Sequence, residues 1–446
     1  MALTICHTGD WHLGHTLYRR GREHEHARFL AWLVDQLEAR AADALVVAGD
    51  VFDTGSPPGS ALAMFYGFLA EVRRRIPALA VVVIAGNHDS PARLAAPDPV
   101  LRGLGVSIVG SVSYEDGEIA PERMVVPIVR GGEVVGRVVA VPFLRGADLP
   151  AAAEAGTHEA HALGARRVYD TAIAHALAQG NEPLVVTGHF AAAGARMSRE
   201  SERLLAIGQD GTLPIDVIDA RGVAYVALGH LHLAQRVPAG AEARYAGSPI
   251  PLSFAERALD HEVRFVTIEG GVTTSEPVRV PRTVRLVRLP EAGLLERSEV
   301  VSMLEAFPPR AGDPSEWPWI EARVRVAQGE RDALERIETA AADRAVHLVH
   351  VVLERPETAL DAVKLEATRT ASLDVADVLV ARWSAEHGAP PPSEVLDALA
   401  EATAEARTRL EQRRQRGVEM EADRSLSRAP ALAARRVDLV PQEGGE

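Results

Sequence analysis

The chain has 446 residues, 47% of them hydrophobic, and a formal net charge of −14. That length exceeds what one compact core usually holds, so two or three domains are expected. The acidic balance excludes a protein that grips nucleic acid by bulk charge alone, leaving a local groove or bound cations as the means. Cys6 is the single cysteine, which excludes an intrachain disulfide and fits a reducing, cytoplasmic setting.

The opening MALTICHTGDWH has no basic leader before its apolar run, so no secretory signal is expected there. LTICHTGDWH reads as a strand and its exit loop, and ARFLAWLVDQLEARA as a helix with Phe29, Leu30, Leu33, Val34 and Leu37 on its apolar stripe. DALVVAGD is a second strand and SALAMFYGFLAEVRRRI a second helix, where Arg73, Arg74 and Arg75 offset the macrodipole. LAVVVIAGNHD is a third strand, far too short to cross a bilayer. Continuous apolar strands alternating with helices predict an α/β fold whose sheet is covered on both sides.

The pattern then becomes β-rich in GVSIVG, RMVVPIV and GRVVAVPF. An Ala-rich helical segment follows from about 150 to 180, then the strands PLVVTGHF, VAYVALGHLH, ARYAGSP and VRFVTIEGG. The first domain is expected to close near 280, and a small α+β domain to occupy 281–356. Beyond Pro356 the chain reads as helical and charged to about 416, with Val375, Val378, Leu379, Arg382 and Trp383 on one face. Ser393 is a candidate N-cap for a helix carrying Val395, Leu399, Ala402, Ala406 and Leu410, and 417–446 lacks periodic apolar residues and is expected to be mobile.

Five places share one design, an apolar strand, usually a glycine, then residues of metal-ligand type. They are TGDWH (Asp10, His12), AGDVFD (Asp50, Asp53), AGNHD (Asn87, His88, Asp89), TGH (His189) and LGHLH (His230, His232). Reactive groups of such folds collect at the carboxyl ends of the strands, so the five ends converge on one cleft. If the segments stay extended, His230 and His232 share a face, as do Asp10 and His12. A mixed carboxylate, amide and imidazole set suits Mn²⁺, Fe²⁺ or Zn²⁺ better than the oxygen-loving Mg²⁺ or Ca²⁺. Two cations about 3.5–4 Å apart need a shared anionic ligand, for which Asp50 is placed. Asp53 and Asp89 read as hydrogen-bond acceptors behind the ligands. The turn GSPIPLSF is expected to pack behind His232, and Arg19, Arg20 and Arg22 to offer DNA phosphate contacts from a loop beside the cleft.

The ordered set Asp-x-His, Gly-Asp-x-x-Asp, Gly-Asn-His-Asp, Gly-His and Gly-His-x-His resembles that of the calcineurin-like metallophosphoesterases. Within them, HTGDWHLGHTLY, AGDVFDTGSPP, AGNHDSP, VPFLRG, ALGHLHLAQ and YAGSPIPLSF are similar to the bacterial SbcD nucleases and their Mre11 counterparts. The likeness is strong over about 1–280 and general beyond. It departs at Gly9, where the subgroup often has Ser, and in the loop after His189. The resemblance implies a β-sandwich flanked by helices, a capping, DNA-binding α+β domain at 281–356, and a helical element at 357–416 that docks a partner. It implies one metal on Asp10, His12 and His232, another on Asn87, His189 and His230, Asp50 bridging, and His88 as catalytic histidine. It further implies two divalent ions, Mn²⁺ foremost with Mg²⁺, Fe²⁺ or Zn²⁺ as alternatives. The implied activities are 3′–5′ double-strand exonuclease and single-strand or hairpin endonuclease, in DNA repair, recombination and replication.

No G-x-x-x-x-G-K-[ST] motif is present, so any ATP dependence belongs to a partner. The implied partner is an SbcC-like (Rad50-type) coiled-coil ATPase, with this chain forming a homodimer inside a heterotetramer and Val378, Leu379 and Trp383 as docking candidates. The alternative reading is a nucleotide or other small-molecule phosphodiesterase on the same fold. Protein phosphatases of this superfamily typically show Arg-Gly and Glu where this chain has Thr54-Gly55 and Asp89.

Overall fold

Four predicted apolar runs start the first sheet, β1 (Leu3–Thr8), β2 (Ala44–Val47), β3 (Ala80–Ile84) and β4 (Val106–Val109), joined in parallel. The computed structural model describes residues 2–150, 158–196, 212–326 and 332–354, together with 383, 391–392 and 395–396. A second sheet is built from β5 (Val125–Arg130), β6 (Glu133–Ala140), β7 (Leu184–His189), β8 (Val223–Gly229), β9 (Gln235–Val237) and β10 (Glu242–Tyr245). Its order is β9-β10-β8-β7-β6-β5, with β6, β7, β8 and β10 parallel. The chain then returns to the first sheet through β11 (Glu262–Glu269) and β12 (Val272–Arg279), which add antiparallel beside β1.

Because side chains alternate across a strand, each sheet supplies two apolar faces. Leu3, Ile5, Val46 and Val82 of the first sheet pack with Val138, Val186 and Val226 of the second in one core. Cys6, Leu45, Val47 and Val83 face the other way, onto α1 (Glu23–Ala39) and α2 (Gly59–Arg75) through Phe29, Leu33, Phe65 and Leu69. Helix α3 (His158–Ala178) packs on the second sheet with Val168, Tyr169 and Ala172. The predicted sandwich flanked by helices is therefore the observed one. The arginine run closing α2 does more than offset a dipole. Arg75 pairs with Asp35, at 2.7 Å, and with Glu38 of α1, while Arg74 binds Glu71 at 2.8 Å.

A third sheet holds β13 (Leu286–Leu289), β14 (Leu295–Glu296), β15 (Trp319–Arg325) and β16 (His347–Glu354), all parallel to β15. With α4 (Arg297–Glu305) and α5 (Ala333–Ala342) it encloses its own core of Val300, Leu304, Ile320, Val324 and Ile337. A small cluster of Leu17, Phe254, Val284, Leu286 and Trp319 joins this sheet to the sandwich, and Met1–Glu354 forms one compact unit. Tyr18 stacks on His350 at 3.9 Å across the same junction. The second unit is Arg355–Glu446, where Trp383 is half-buried. Val375, Val378, Leu379, Arg382, Ser393, the remaining helical positions after 396 and the 417–446 tail lie outside the described residues, as does the loop 197–211. No helix among the described residues is long and apolar enough to cross a membrane.

Ile337 is fully buried in the third core. Truncating it, Ile337→Ala, should cost about 2–5 kcal/mol in urea or thermal unfolding of that sheet. A loss below about 0.5 kcal/mol would mean that the sheet does not depend on this core.

Candidate metal centre

Strands β1, β2, β3, β7 and β8 all end at one edge of the sandwich, and their exit turns carry the ligand-type residues. The turns after β1, β2 and β8 are left-handed rather than extended, while His189 is the last residue of β7 itself. Asp10 has φ 53°, His12 48°, Asp50 48° and His230 98°. Such values are uncommon for non-glycine residues and persist where the surroundings hold them. Here the turns brace one another, Asp10 N–H donating to Gly49 O at 3.0 Å and His12 N–H to Asp50 O at 3.0 Å. His230 N–H donates to Asp10 Oδ1 at 2.8 Å, across the two sheets.

This corrects the expectation of a shared face. β8 stops at Gly229, and the turn sends His230 and His232 to different groups. His232 gathers with Asp10 and His12, whose ligand atoms lie within 4.8 Å of one another. His230 Nδ1 instead lies 2.9 Å from Asn87 Oδ1, which is 3.0 Å from His189 Nε2. Asp50 stands between the groups, Oδ2 being 3.6 Å from His12 Nε2 and 3.3 Å from His189 Nε2. His88 is exposed, its ring 4.8 Å from that of His12.

Partners behind the rings select which nitrogen faces inward. His189 Nδ1 lies 2.7 Å from Ala48 O, which can only accept, so Nδ1 carries the proton and Nε2 turns to Asp50. His12 Nδ1 is 3.3 Å from Asp53 Oδ1, and His232 Nδ1 is 3.1 Å from Glu256 Oε1. A carboxylate or carbonyl on one ring nitrogen, leaving the other inward, is the usual support of a metal-binding imidazole. Asp10 Oδ2 and His12 Nε2 are buried with no hydrogen-bond partner. Buried acceptors of this kind are costly unless a cation or donor meets them, and the nitrogen and oxygen donor set fits divalent transition ions.

Charge inside the cluster is strongly perturbed. Burial alone would raise the Asp50 carboxyl, but the imidazoles of His189, His12 and His88 hold it well below the usual carboxylate range. Burial works against a charged His189, yet the adjacent Asp50 carboxylate pushes its pKa up to about 9. Burial and the neighbouring His189 push His230 down to about 3. Asp89 is raised to about 6 by burial and by the Asp50 charge, against three N–H donors.

Asp89 Oδ2 accepts from Val51 N–H at 3.1 Å and Gly86 N–H at 2.9 Å, and Oδ1 from Phe52 N–H at 3.0 Å, clamping two ligand turns together. The GSPIPLSF turn lies behind His232, Ser248 N–H donating to His232 O at 3.2 Å. Arg19 and Arg20 are exposed in the loop after the first ligand pair. Arg22 is not available to a phosphate. It is buried, paired with Glu25 at 2.9 Å, donates to Pro251 O at 2.8 Å, and lies over the Trp319 ring. Sequence reasoning missed Glu256, a fully buried carboxylate 24 positions beyond His232 that no local pattern marks. It also missed Phe143, whose ring lies 6.2 and 6.4 Å from those of His189 and His230. Arg145 was missed as well, and it donates to Gly86 O and Asp89 O at 3.0 Å behind the His88 turn. The signal for both was VPFLRG, a motif with no ligand-type residue.

Comparison with known proteins matches residues 3–234 to the calcineurin-like phosphoesterase family, the class that this sandwich and its paired donor sets define. The SbcD chain of the SbcCD nuclease of Rhodobacter capsulatus is 38% identical over 364 residues, covering 80% of this chain and 89% of that protein. The SbcD chains of Escherichia coli and Bacillus subtilis are each 34% identical, over 72% and 73% of this chain and 78% and 80% of their own lengths. The chain belongs to the calcineurin-like phosphoesterases, in their SbcD branch.

A Cβ at Gly229 would overlap the Ala48 carbonyl, and one at Gly86 the Asp50 carboxylate. Gly229→Ala should therefore abolish high-affinity binding of Mn²⁺ in calorimetric titration, and unchanged binding would show that the sheets can part there. Glu256→Gln removes the charge behind His232 and should weaken Mn²⁺ about 10–100-fold while the fold persists by circular dichroism.

Proposed function

We propose that this chain is the nuclease component of an SbcCD-type assembly, hydrolysing DNA phosphodiesters with two divalent cations, Mn²⁺ foremost. The observation that carries the reading is the pair of donor sets on either side of Asp50, with exposed His88 at their edge. The named relatives support DNA as substrate and make a small-molecule phosphodiesterase the less favoured reading. Asp10, His12 and His232 would hold one ion, Asn87, His189 and His230 the other, and Asp50 both. When bound, such a pair lowers the pKa of a coordinated water and offsets charge on the phosphoryl oxygens.

The chain's own residues supply the rest. His88 N–H donates to Asp50 Oδ1 at 2.8 Å, which fixes the carboxylate's rotation and ties the His88 turn to it. His88 Nδ1 lies 2.8 Å from Asp53 O, a pure acceptor, so Nδ1 carries a proton and Nε2 is the free ring atom. With Nε2 protonated as well, the ring as imidazolium could pass that second proton to the departing sugar oxygen while Nδ1–H stays on Asp53 O. The buried walls around Asp10, Asp50 and His189 keep bulk water from competing for those groups.

The proposed activities are degradation of duplex ends from 3′ to 5′ and cutting of single strands or hairpins. The proposed setting is a homodimer joined to two chains of an SbcC-like coiled-coil ATPase in the cytoplasm. Residues 281–356 are proposed as a capping domain that contacts DNA, and 357–416, with Val378, Leu379 and Trp383, as the ATPase-docking element.

Linear duplex DNA, a chromogenic phosphodiester and a phosphoserine peptide, each assayed with Mn²⁺ and with chelator, test the assignment. Cleavage of the duplex that chelator abolishes is expected, and preferential hydrolysis of the peptide would overturn it. His88→Gln should keep both ions in calorimetric titration and lose about 10²–10⁴-fold in cleavage. A variant that lost an ion would move His88 among the ligands, its ring nitrogen lying within 4.8 Å of ligand atoms of His12 and Asp50.

A further inference from the structure

We propose that His7 and His26 are positioning residues of the metal centre, each fixing through its Nε2–H the backbone carbonyl on which a ligand-bearing turn pivots. The inference rests on the paired-cation reading above. Neither side chain belongs to a donor set, and both are completely buried.

His26 projects from α1, and its Nε2 lies 2.9 Å from Trp11 O. Trp11 is the residue between Asp10 and His12, both left-handed. Its carbonyl can only accept, so the ring nitrogen facing it must carry the proton. The other nitrogen, Nδ1, is buried without a partner, an expense that a purely apolar side chain would avoid. His7 projects from β1 into the space between the sheets. Its Nε2 lies 3.2 Å from Leu228 O, and its Nδ1 lies 3.0 Å from the Tyr225 hydroxyl. The carbonyl again fixes the proton on Nε2, so Tyr225 donates to Nδ1 and holds the ring in that tautomer. Leu228 stands directly before Gly229 and His230, and the next link along that turn is His230 N–H to Asp10 Oδ1.

Burial pushes both imidazoles down to about 3, so each remains a single-donor ring at neutral pH. His26 thus latches the Asp10–His12 turn to α1. His7 latches the end of β8, from which His230 and His232 depart, to the strand that delivers Asp10. Without these donors the two turns keep their mutual braces, Asp10 N–H to Gly49 O, His12 N–H to Asp50 O and His230 N–H to Asp10 Oδ1, but lose the links that tie them to α1 and to β1.

The test is calorimetric titration of Mn²⁺ into the chelator-stripped full chain. Glutamine places its amide N–H near the position of Nε2, whereas leucine offers no donor. His7→Leu and His26→Leu should bind Mn²⁺ about 10–100-fold more weakly, and His7→Gln and His26→Gln should stay within about threefold of the parent. Tyr225→Phe, which frees the His7 tautomer, should weaken binding in the same sense. His26→Asn, whose N–H falls short of Trp11 O, should behave like the leucine variant. Those two decide the matter if a leucine variant does not fold. Val72→Ala, in the α2 core, is the control for lost stability alone.

Leucine variants that bind like the parent would overturn the inference. So would glutamine variants as weak as leucine, or a control whose affinity falls equally for the same drop in melting temperature. A parent chain that binds no pair of ions would remove the reading beneath the inference. A parent that binds two ions and cuts no DNA would overturn the nuclease assignment while leaving the bracing role standing.

Discussion

At Ala48 and Gly229 the backbones of the two sheets meet, with no side chain between them at Gly229, and the arrangement of the centre depends on that approach. The Ala48 carbonyl accepts from His189 Nδ1 on one side and lies against Gly229 on the other. One sheet delivers Asp10, Asp50 and Asn87, and the other delivers His189, His230 and His232. Each of the two donor sets named above draws on both sheets. The shared apolar core of Ile5, Val46, Val138 and Val226 stabilises the contact that brings the two halves together.

That contact confines carboxylates and imidazoles where water cannot relieve them. The cluster partly answers its own cost, Asp50 staying ionised because His189 and His12 stand beside it. Asp10 Oδ2 and His12 Nε2, buried without a hydrogen bond, remain open to a cation. Strain and desolvation at such a site are carried by the rest of the fold, here by two large cores and the Asp89 clamp. A bound ion would return part of that free energy, since any group that binds only the folded state stabilises it.

Much of this was legible in the chain because parallel buried strands read as apolar runs, and a glycine followed by Asp, Asn or His marks where each run ends. The five strand ends and the edge where ligands collect follow from that, while the sandwich came from the family resemblance of the motifs. The handedness of the exit turns did not follow. Alternation along a strand predicts one face for His230 and His232, while the left-handed His230 separates them. Glu256, His7 and His26 were invisible for a related reason. Their partners are a distant ring and two backbone carbonyls, and nothing in local spacing encodes a contact over 15 to 221 positions. Arg22 read as a loop cation because sequence shows its charge but not Glu25 and Trp319 closing over it.

Cys6 lies on β1 four residues before Asp10, close in sequence to a centre that selects metals by its donors. Its side chain faces the helices rather than the centre, in the same core as Phe29 and Phe65, and burial drives its thiol far above the ordinary range. A thiol kept protonated neither ligates soft ions nor reacts with oxidants. With that thiol facing away, the groups gathered at the strand ends offer nitrogen and oxygen, and thiophilic ions such as Cu⁺ do not find there the thiolate they favour.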